Sequence, residues 1–128
     1  MQLSKAPASV QIRIADHAAT RAFYEGKLGL KHTDLGPEVP ALYEAGNGTI
    51  IVAYSGKPTH PESTIGNFQV DDVEATVKEL QAKGVTFEEY DLPDMKTVNG
   101  IVDWEGYKVA WFKDPDGYIW SVNPPYKK

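Results

Sequence analysis

The alternation of apolar and polar residues predicts that the chain opens with a strand followed directly by a helix. Residues 9–14 have the two-residue period of a strand with one buried face, with Val10, Ile12 and Ile14 apolar and Ser9, Gln11 and Arg13 polar. Asp16 is a typical helix N-cap. The apolar stripe that follows consists of Ala19, Ala22 and Phe23. Gly29 is typical of the position just beyond a helix end.

The same pattern of strand, aspartate, helix and glycine returns in the second half of the chain. The second strand alternates Gly66, Phe68 and Val70 with Ile65, Asn67 and Gln69. The helix that follows Asp71 and Asp72 has one apolar face, made of Val73, Thr76, Val77 and Leu80. It carries a Glu79–Lys83 pair and ends at Gly84. The repeat indicates two modules of similar structure.

Short β-type segments separated by turn residues follow each helix. They are Leu30–Thr33, Ala41–Ala45 and Thr49–Tyr54 in the first half, and Val85–Tyr90, Lys108–Lys113 and Tyr118–Asn123 in the second. Residues 46–48 and 114–117 supply the turns, being Gly-Asn-Gly and Asp-Pro-Asp-Gly. The segment Asp91–Gly106 is expected to be a long loop, either a binding loop or a surface excursion.

The chain is therefore expected to be βαβββ twice, with module 1 at about 7–55, a linker at 56–63 and module 2 at about 64–125. Neither half has the area for a stable core of its own. We expect residues 1–128 to form a single domain.

Composition narrows the classes of partner. The 128 residues include 13 basic and 18 acidic side chains with a net charge of −5, and the basic ones are scattered, which argues against nucleic acid. The lack of cysteine excludes disulfides and thiolate zinc sites. No signal-peptide pattern is present, and the longest apolar run, Ile50–Tyr54, is too short to cross a bilayer. A cytoplasmic protein without a membrane partner is expected.

Several short motifs, in this order and over almost the whole chain, carry a resemblance to a known family. They are Asp16 followed by Phe23-Tyr24 and Leu28-Gly29-Leu30, then Val70-Asp71-Asp72, and finally Phe112-Lys113-Asp114-Pro115-Asp116-Gly117. Together they resemble the vicinal-oxygen-chelate superfamily of glyoxalases, bleomycin-resistance proteins and dioxygenases. The resemblance implies an α+β fold, with two βαβββ modules forming a cupped mixed sheet and helices on the convex face. It also implies a homodimer, with a ligand pocket within one chain or across the dimer.

In metal-dependent relatives, four inward side chains such as His and Glu hold a divalent cation. The resemblance places the four corresponding positions at Ser9, Ile51, Ile65 and Ser121. Isoleucine has no lone pair to donate, and a neutral serine hydroxyl is a weak ligand beside imidazole or carboxylate. A shift of one residue in the alignment brings in no better ligand. We therefore expect no metal and no cofactor.

The resemblance and the strand parity together define a candidate ligand-binding set on the concave face. It comprises Ser9, Gln11, Arg13, Asn67, Gln69, Ser121 and Asn123 over an apolar floor of Ile51 and Ile65. Trp104 on the long loop and Trp111 on the strand before the hairpin either stack a planar ligand or pack in the core. In the alternative interpretation, the polar side chains bond one another and ordered water. Arg13 needs a partner, either an internal carboxylate or an anionic ligand group. Trp120 is expected in the core.

Other ionisable side chains offer weaker candidates. Glu38 and Glu44 are placed at a pocket rim or simply in solvent. His17, His32 and His60 share no metal-ligand spacing, and each is expected to be solvated or locally hydrogen-bonded.

Three functions fit these features. The first is a metal-free protein, similar to bleomycin-resistance members, that binds a small molecule without changing it. The second is a glyoxalase- or dioxygenase-like lyase or oxidoreductase with an atypical metal site or none. The third is an interaction scaffold. The sequence assigns no catalytic residue, and a fold alone does not choose among these functions.

Overall fold

The computed structural model describes residues 2–36 and 40–126. The chain divides into two compact units, residues 1–59 and 60–128. Each unit contains a four-stranded mixed sheet and one α-helix, which confirms the predicted α+β fold of two βαβββ modules. The division along the chain falls within the segment 56–63, and the single domain stays a prediction. No helix in the described ranges is long and apolar enough to cross a membrane.

Unit 1 begins with a strand and a capped helix, as its sequence pattern predicts. Its elements are β1 (Ser9–Ile14), α1 (His17–Arg21), a π-helical turn (Ala22–Lys27), β2 (Lys31–Asp34), β3 (Ala41–Glu44) and β4 (Ile50–Ser55). The strand order is β1-β4-β3-β2, with β1 parallel to β4 and the other neighbours antiparallel. The parallel pair is possible because α1 and two further strands separate β1 from β4 along the chain.

The helix of unit 1 changes geometry after its first turn. Asp16 caps α1 by accepting hydrogen bonds from the backbone N–H groups of Ala18 and Ala19. Further along, the Leu28 N–H donates at a distance of 2.9 Å to the Phe23 carbonyl, five residues earlier, which is the spacing of a π turn. The inward face differs in part from the predicted stripe: Phe23 is buried as predicted, but Ala22 is exposed, and Thr20 and Tyr24 are buried instead.

The core of unit 1 lies between this helix and one face of the sheet. The rings of Tyr24 and Tyr43 approach to 5.4 Å between centroids, so the Tyr43 face of the sheet is the helix side. In register with Tyr43 is Ile51, which in turn pairs with Val10. Paired residues on adjacent strands point to the same face. Ile51, only 2% exposed, therefore belongs to the core.

The expectation that Ile51 shares a face with the polar residues of β1 is wrong. The residues on that open face of β4 are Ile50, Val52 and Tyr54, which pair with Ser9, Gln11 and Arg13 respectively. Every residue from 50 to 54 is apolar or aromatic, so the sequence of this strand carries no alternation from which its parity could be read.

Unit 2 repeats the topology of unit 1 and adds a small hairpin. Its elements are β5 (Thr64–Gln69), α2 (Val73–Ala82), β6 (Asp91–Leu92), β7 (Met95–Lys96), β8 (Ile101–Trp104), β9 (Tyr107–Lys113) and β10 (Ile119–Asn123). The order β5-β10-β9-β8, with β5 parallel to β10, matches that of unit 1, and β6 pairs with β7 separately. Val73 and Val77 of α2 are buried, as predicted.

Two β-segments of unit 2 differ from the prediction. Val85–Tyr90 is not a strand and contributes one isolated bridge, from Phe87 to Phe112. Asp91–Gly106, expected to be a long loop, instead contains β6, β7 and β8, and Trp104 lies at the end of β8. Tight turns make this possible, because Asn99, Gly100, Glu105 and Gly106 all have positive φ, the conformation of two-residue hairpin turns.

The core of unit 2 lies between α2 and the sheet. Trp120 is 3% exposed, which confirms its predicted place, and its ring packs against Phe68 at 5.1 Å between centroids. Gly66 pairs with Trp120, and a Cβ atom at Gly66 would lie 2.6 Å from the indole ring. A glycine is therefore required at this position for the indole to lie flat against β5.

Candidate functional site

A cavity of about 420 Å³ opens on the face of the unit 2 sheet opposite the Trp120 side. It is lined by Thr64, Ile65, Gly66, Asn67, Tyr107, Val109, Trp111, Ser121, Asn123 and Tyr126. Five of these residues belong to the set predicted from the sequence: Ile65, Asn67, Trp111, Ser121 and Asn123. The volume falls within the range of small-molecule pockets, roughly 300–1,000 Å³.

Strand register brings three of these side chains into one row. Ser121 of β10 pairs with Asn67 on the parallel neighbour β5 and with Trp111 on the antiparallel neighbour β9. Paired residues share a face, so an amide, a hydroxyl and an indole lie side by side across three strands. Asn123, two residues along β10, continues the polar surface on the same face.

The polar side chains of this surface are hydrogen-bonded within the unit. Ser121 Oγ donates to Asn123 Oδ1 at 3.2 Å, and Asn123 Nδ2 donates to the Pro124 carbonyl at 2.9 Å. Asn67 Nδ2 donates to the Tyr126 hydroxyl at 3.1 Å. The sequence left mutual bonding and ligand binding open, and these contacts show mutual bonding in part. A side-chain amide has two donors and two lone pairs, so each asparagine retains capacity for a further partner.

The aromatic side of the cavity is held by ring contacts. Trp111 meets Tyr90 edge to face at 5.6 Å and Trp104 at 6.4 Å between centroids. Trp104 is 43% exposed, and its Nε1–H donates to the Asp94 carbonyl at 3.3 Å. Trp104 is not among the lining residues, so it acts on the cavity by supporting Trp111. Edge-to-face pairs of this kind fix ring orientation.

The sequence interpretation missed half of the lining. Tyr107, Val109 and Trp111 lie two residues apart along β9 and therefore point to the same face of the sheet. Strand parity could thus have identified Tyr107 and Val109. Tyr126 follows two prolines after β10, and no pattern in the sequence indicates its place. Gln69, although predicted, does not line the cavity, but its Oε1 accepts a hydrogen bond from the Tyr126 backbone N–H at 3.3 Å.

The cavity is electrically neutral. None of its described lining residues carries a formal charge, and the polar groups are amides and hydroxyls. Such groups recognise a ligand by hydrogen-bond position, and the rings of Trp111, Tyr107 and Tyr126 offer flat surfaces for stacking. The arrangement suits a neutral, planar molecule with carbonyl, hydroxyl or amine groups.

The predicted residues of unit 1 lie on the open face of its own sheet. Ser9, Gln11 and Arg13 are exposed along β1, on the sheet face away from the helix. Arg13 Nε donates to the Tyr54 hydroxyl at 3.3 Å, so a phenol is one partner of the guanidinium where a carboxylate or an anionic ligand was expected. Glu44 is exposed at the end of β3, and Glu38 lies outside the described residues.

The side chains that the family resemblance assigns to the metal-ligand positions do not fit a divalent cation. They are Ser9, Ile51, Ile65 and Ser121, and Ile51 pairs with Val10 on the helix side of its sheet. None is an imidazole or a carboxylate, the donors that such cations prefer. Within residues 2–36 and 40–126, no three His, Asp or Glu side chains form a group that could hold a metal ion. His17 Nε2 is hydrogen-bonded to Ser55 Oγ at 2.8 Å.

Solved structures provide independent support for the fold. UcmS2 is similar at 21% identity and a TM-score of 0.73, over 98% of this chain and 100% of that chain. TnmS3, an antibiotic binding protein from Streptomyces sp. CB03234, has 22% identity and a TM-score of 0.67 over the same shares. A glyoxalase/bleomycin resistance protein from Catenulispora acidiphila has 20% identity and a TM-score of 0.64, over 94% of this chain and 98% of that one.

Sequence comparison assigns the family. No curated protein sequence matches the chain significantly. The family model described as Glyoxalase/Bleomycin resistance protein/Dioxygenase superfamily matches residues 6–122, which include both α-helices and every strand except the last residue of β10. The chain therefore belongs to the glyoxalase/bleomycin resistance protein/dioxygenase superfamily.

Proposed function

We propose that this protein is a metal-free, small-molecule-binding protein of the bleomycin-resistance-like type, with its ligand in the cavity of unit 2. The observation that carries the proposal is the row of Asn67, Ser121 and Trp111 across β5, β10 and β9. The row combines a stacking surface with hydrogen-bonding groups at fixed positions, which is how small-molecule pockets obtain both affinity and orientation.

The ligand class follows from the lining. A charged ligand would lose its hydration without meeting an opposite charge in the cavity, which is costly. A neutral planar ligand instead covers the indole of Trp111 and exchanges hydrogen bonds with Asn67 and Asn123. TnmS3, which shares the fold, is an antibiotic binding protein, and this supports small-molecule binding as the proposed role.

The side chains present favour binding over metal-dependent chemistry. A glyoxalase- or dioxygenase-like reaction in this family relies on a cation, and the residues at its ligand positions here lack the donors to hold one. We accordingly assign no catalytic residue, no metal and no cofactor.

A homodimer in the cytoplasm remains our prediction, and a molar mass near twice 14.1 kDa in light scattering would support the dimer.

The proposal is tested with 7-amino-4-methylcoumarin, a neutral planar fluorophore that has a carbonyl acceptor and an amine donor. Binding raises its emission anisotropy. Trp111→Ala is expected to weaken binding by about 1 to 3 kcal/mol, the usual range for a true anchor residue. Trp104→Ala is expected to have a smaller effect, because Trp104 only supports Trp111.

Two further variants locate the site. Gln81→Ala, an exposed position on α2, serves as the matched control and should leave the affinity unchanged. Arg13→Ala tests the predicted contacts of Ser9, Gln11 and Arg13 in unit 1. A weaker affinity would add that surface to the site, and an unchanged one would restrict the site to unit 2. If Trp111→Ala binds the probe as tightly as the wild type does, the proposed site is wrong.

A further inference from the structure

Tyr126 forms one wall of the unit 2 cavity from outside the sheet. It follows β10 after Pro124 and Pro125, and its hydroxyl accepts a hydrogen bond from Asn67 Nδ2 at 3.1 Å. Its backbone N–H donates to Gln69 Oε1 at 3.3 Å. Both amides belong to the ligand-binding set predicted from the sequence. Tyr126 therefore occupies hydrogen-bonding capacity that a ligand would use.

The two prolines explain how Tyr126 reaches this position. Proline lacks an N–H donor and fixes φ, so Pro124 and Pro125 cannot continue the ladder of β10. Val122 and Asn123 are 1% and 2% exposed, so the segment leaves a buried strand end and reaches the surface within three residues. A stiff two-proline connection of this kind limits where the next residue can lie.

The contact holding Tyr126 is weak enough to be exchanged. Tyr126 is 58% exposed, and its hydrogen bonds to Asn67 and Gln69 join neutral groups at 3.1 and 3.3 Å, near and beyond the long end of the usual range. Water can replace such bonds at little cost, because the same groups bond to water when the internal contact opens. A ligand with a well-placed acceptor can therefore take over the Asn67 amide.

We propose that Tyr126 is a specificity-determining residue of this site, an internal competitor whose hydroxyl occupies the Asn67 donor that an acceptor-bearing ligand would use. The inference rests on the proposed function of the cavity. It names the ligands that are admitted: planar molecules carrying a hydrogen-bond acceptor, such as a carbonyl oxygen, that can replace the phenol on Asn67 Nδ2. Planar hydrocarbons without an acceptor gain only stacking and leave the Tyr126 contact intact.

The test compares 7-amino-4-methylcoumarin binding to the wild type and to Tyr126→Phe. Phenylalanine keeps the ring but removes the hydroxyl, so Asn67 is left free for the probe. We expect binding to tighten about five-fold, the equivalent of one neutral hydrogen bond. In an Asn67→Ala background, Tyr126→Phe should have no effect on affinity, because the competed group is gone.

A matched control and an independent readout complete the experiment. Tyr43→Phe removes a buried phenol in unit 1 whose hydroxyl has no hydrogen-bond partner in the described part of the chain, and it should leave probe affinity unchanged. In the ligand-free protein, the Asn67 side-chain amide resonance in a 15N NMR spectrum should move in Tyr126→Phe and stay in place in Tyr43→Phe.

Each outcome discriminates. Tighter binding by Tyr126→Phe, abolished by Asn67→Ala, supports the inference. Equal binding by wild type and Tyr126→Phe overturns it while the proposed function stands, as does weaker binding, which would make the hydroxyl a ligand contact. An Asn67 resonance that does not move shows that the contact is not formed and also overturns it. A probe that binds neither protein overturns the proposed function and this inference together.

Discussion

The two units use one topology to build different open faces. In unit 1 the central strand β4 shows half-buried apolar residues there, Ile50 and Val52, beside exposed polar residues of β1. In unit 2 the central strand β10 carries polar residues instead, and Ser121 and Asn123 are only 7% and 2% exposed. A buried polar group is tolerated only with defined partners. Because the two sheets share a topology, what distinguishes the candidate site is that its polar side chains are buried and hydrogen-bonded at defined positions.

The helix-facing sides of the two sheets are packed with residues of different sizes. In unit 1, Val10 pairs with Ile51, and Ile12 pairs with Ala53. The corresponding pairs in unit 2 are Gly66 with Trp120 and Phe68 with Val122. The missing side chain at Gly66 leaves the space that the Trp120 ring fills. The two units therefore close-pack the same layer with different side chains.

The largest expected effect comes from separating the units. Fragments 1–59 and 60–128 should each fail to fold, because a chain of about 60 residues buries only about 60% of its unfolded surface. The measurement is thermal melting followed by circular dichroism, with the intact chain as control. A cooperative melt of either fragment at ordinary temperature would contradict the single-domain prediction, because that unit would then be a domain by itself.

The common topology could be predicted from sequence because both modules repeat cues that act locally. Asp16 and Asp72 cap their helices as expected, each accepting backbone hydrogen bonds. The Asp114 turn forms as expected, with the Asp114 carboxylate accepting from the backbone of Asp116 and Tyr118. These cues need only a few neighbouring residues, so a single sequence suffices to read them.

The features that sequence analysis missed depend on partners distant in the chain. The parity of β4 is set by pairing with β1 and β3, since its own residues are uniformly apolar. β8 is short, lies between two hairpin turns and pairs with β9, so turn residues obscured it. The place of Tyr126 rests on contacts with residues more than fifty positions away. Local patterns carry no information about such contacts.

The next largest effect is expected from adding a side chain at Gly66, where the Trp120 ring fills the space. Gly66→Ala is expected to lower the free energy of unfolding by about 2 to 3 kcal/mol, because the added methyl group meets the Trp120 ring and overpacks the layer. Gly46→Ala is the control, since nothing lies within 4 Å of a Cβ there. Urea denaturation of both variants measures the difference. Equal stability of the two would mean that the packed layer accommodates a methyl group.

A smaller effect is expected from replacing one polar residue on the open face of each sheet. Asn123→Leu should cost about 1 to 2 kcal/mol, because the Ser121 hydroxyl loses its acceptor in a buried site. The matched variant Gln11→Leu changes an exposed amide in unit 1 and should stay within about 0.5 kcal/mol of wild type. Both are measured by urea denaturation. A cost at Gln11 as large as that at Asn123 would remove the distinction between an ordered and a solvated polar face.

The smallest expected effect is that of a chelator, which should leave the thermal melt unchanged. A protein whose fold depends on a bound cation loses stability when that cation is removed, since metal binding is coupled to folding. The resemblance assigns the family's ligand positions to Ser9 and Ile51 in unit 1 and to Ile65 and Ser121 in unit 2, and none of these side chains is an imidazole or a carboxylate. Wild-type protein should bind zinc or nickel no better than a few exposed histidines do. Differential scanning calorimetry with and without EDTA tests the melt, and elemental analysis of the purified protein tests occupancy. A stoichiometric metal lost together with several degrees of melting temperature would contradict the metal-free proposal and favour the enzyme alternative.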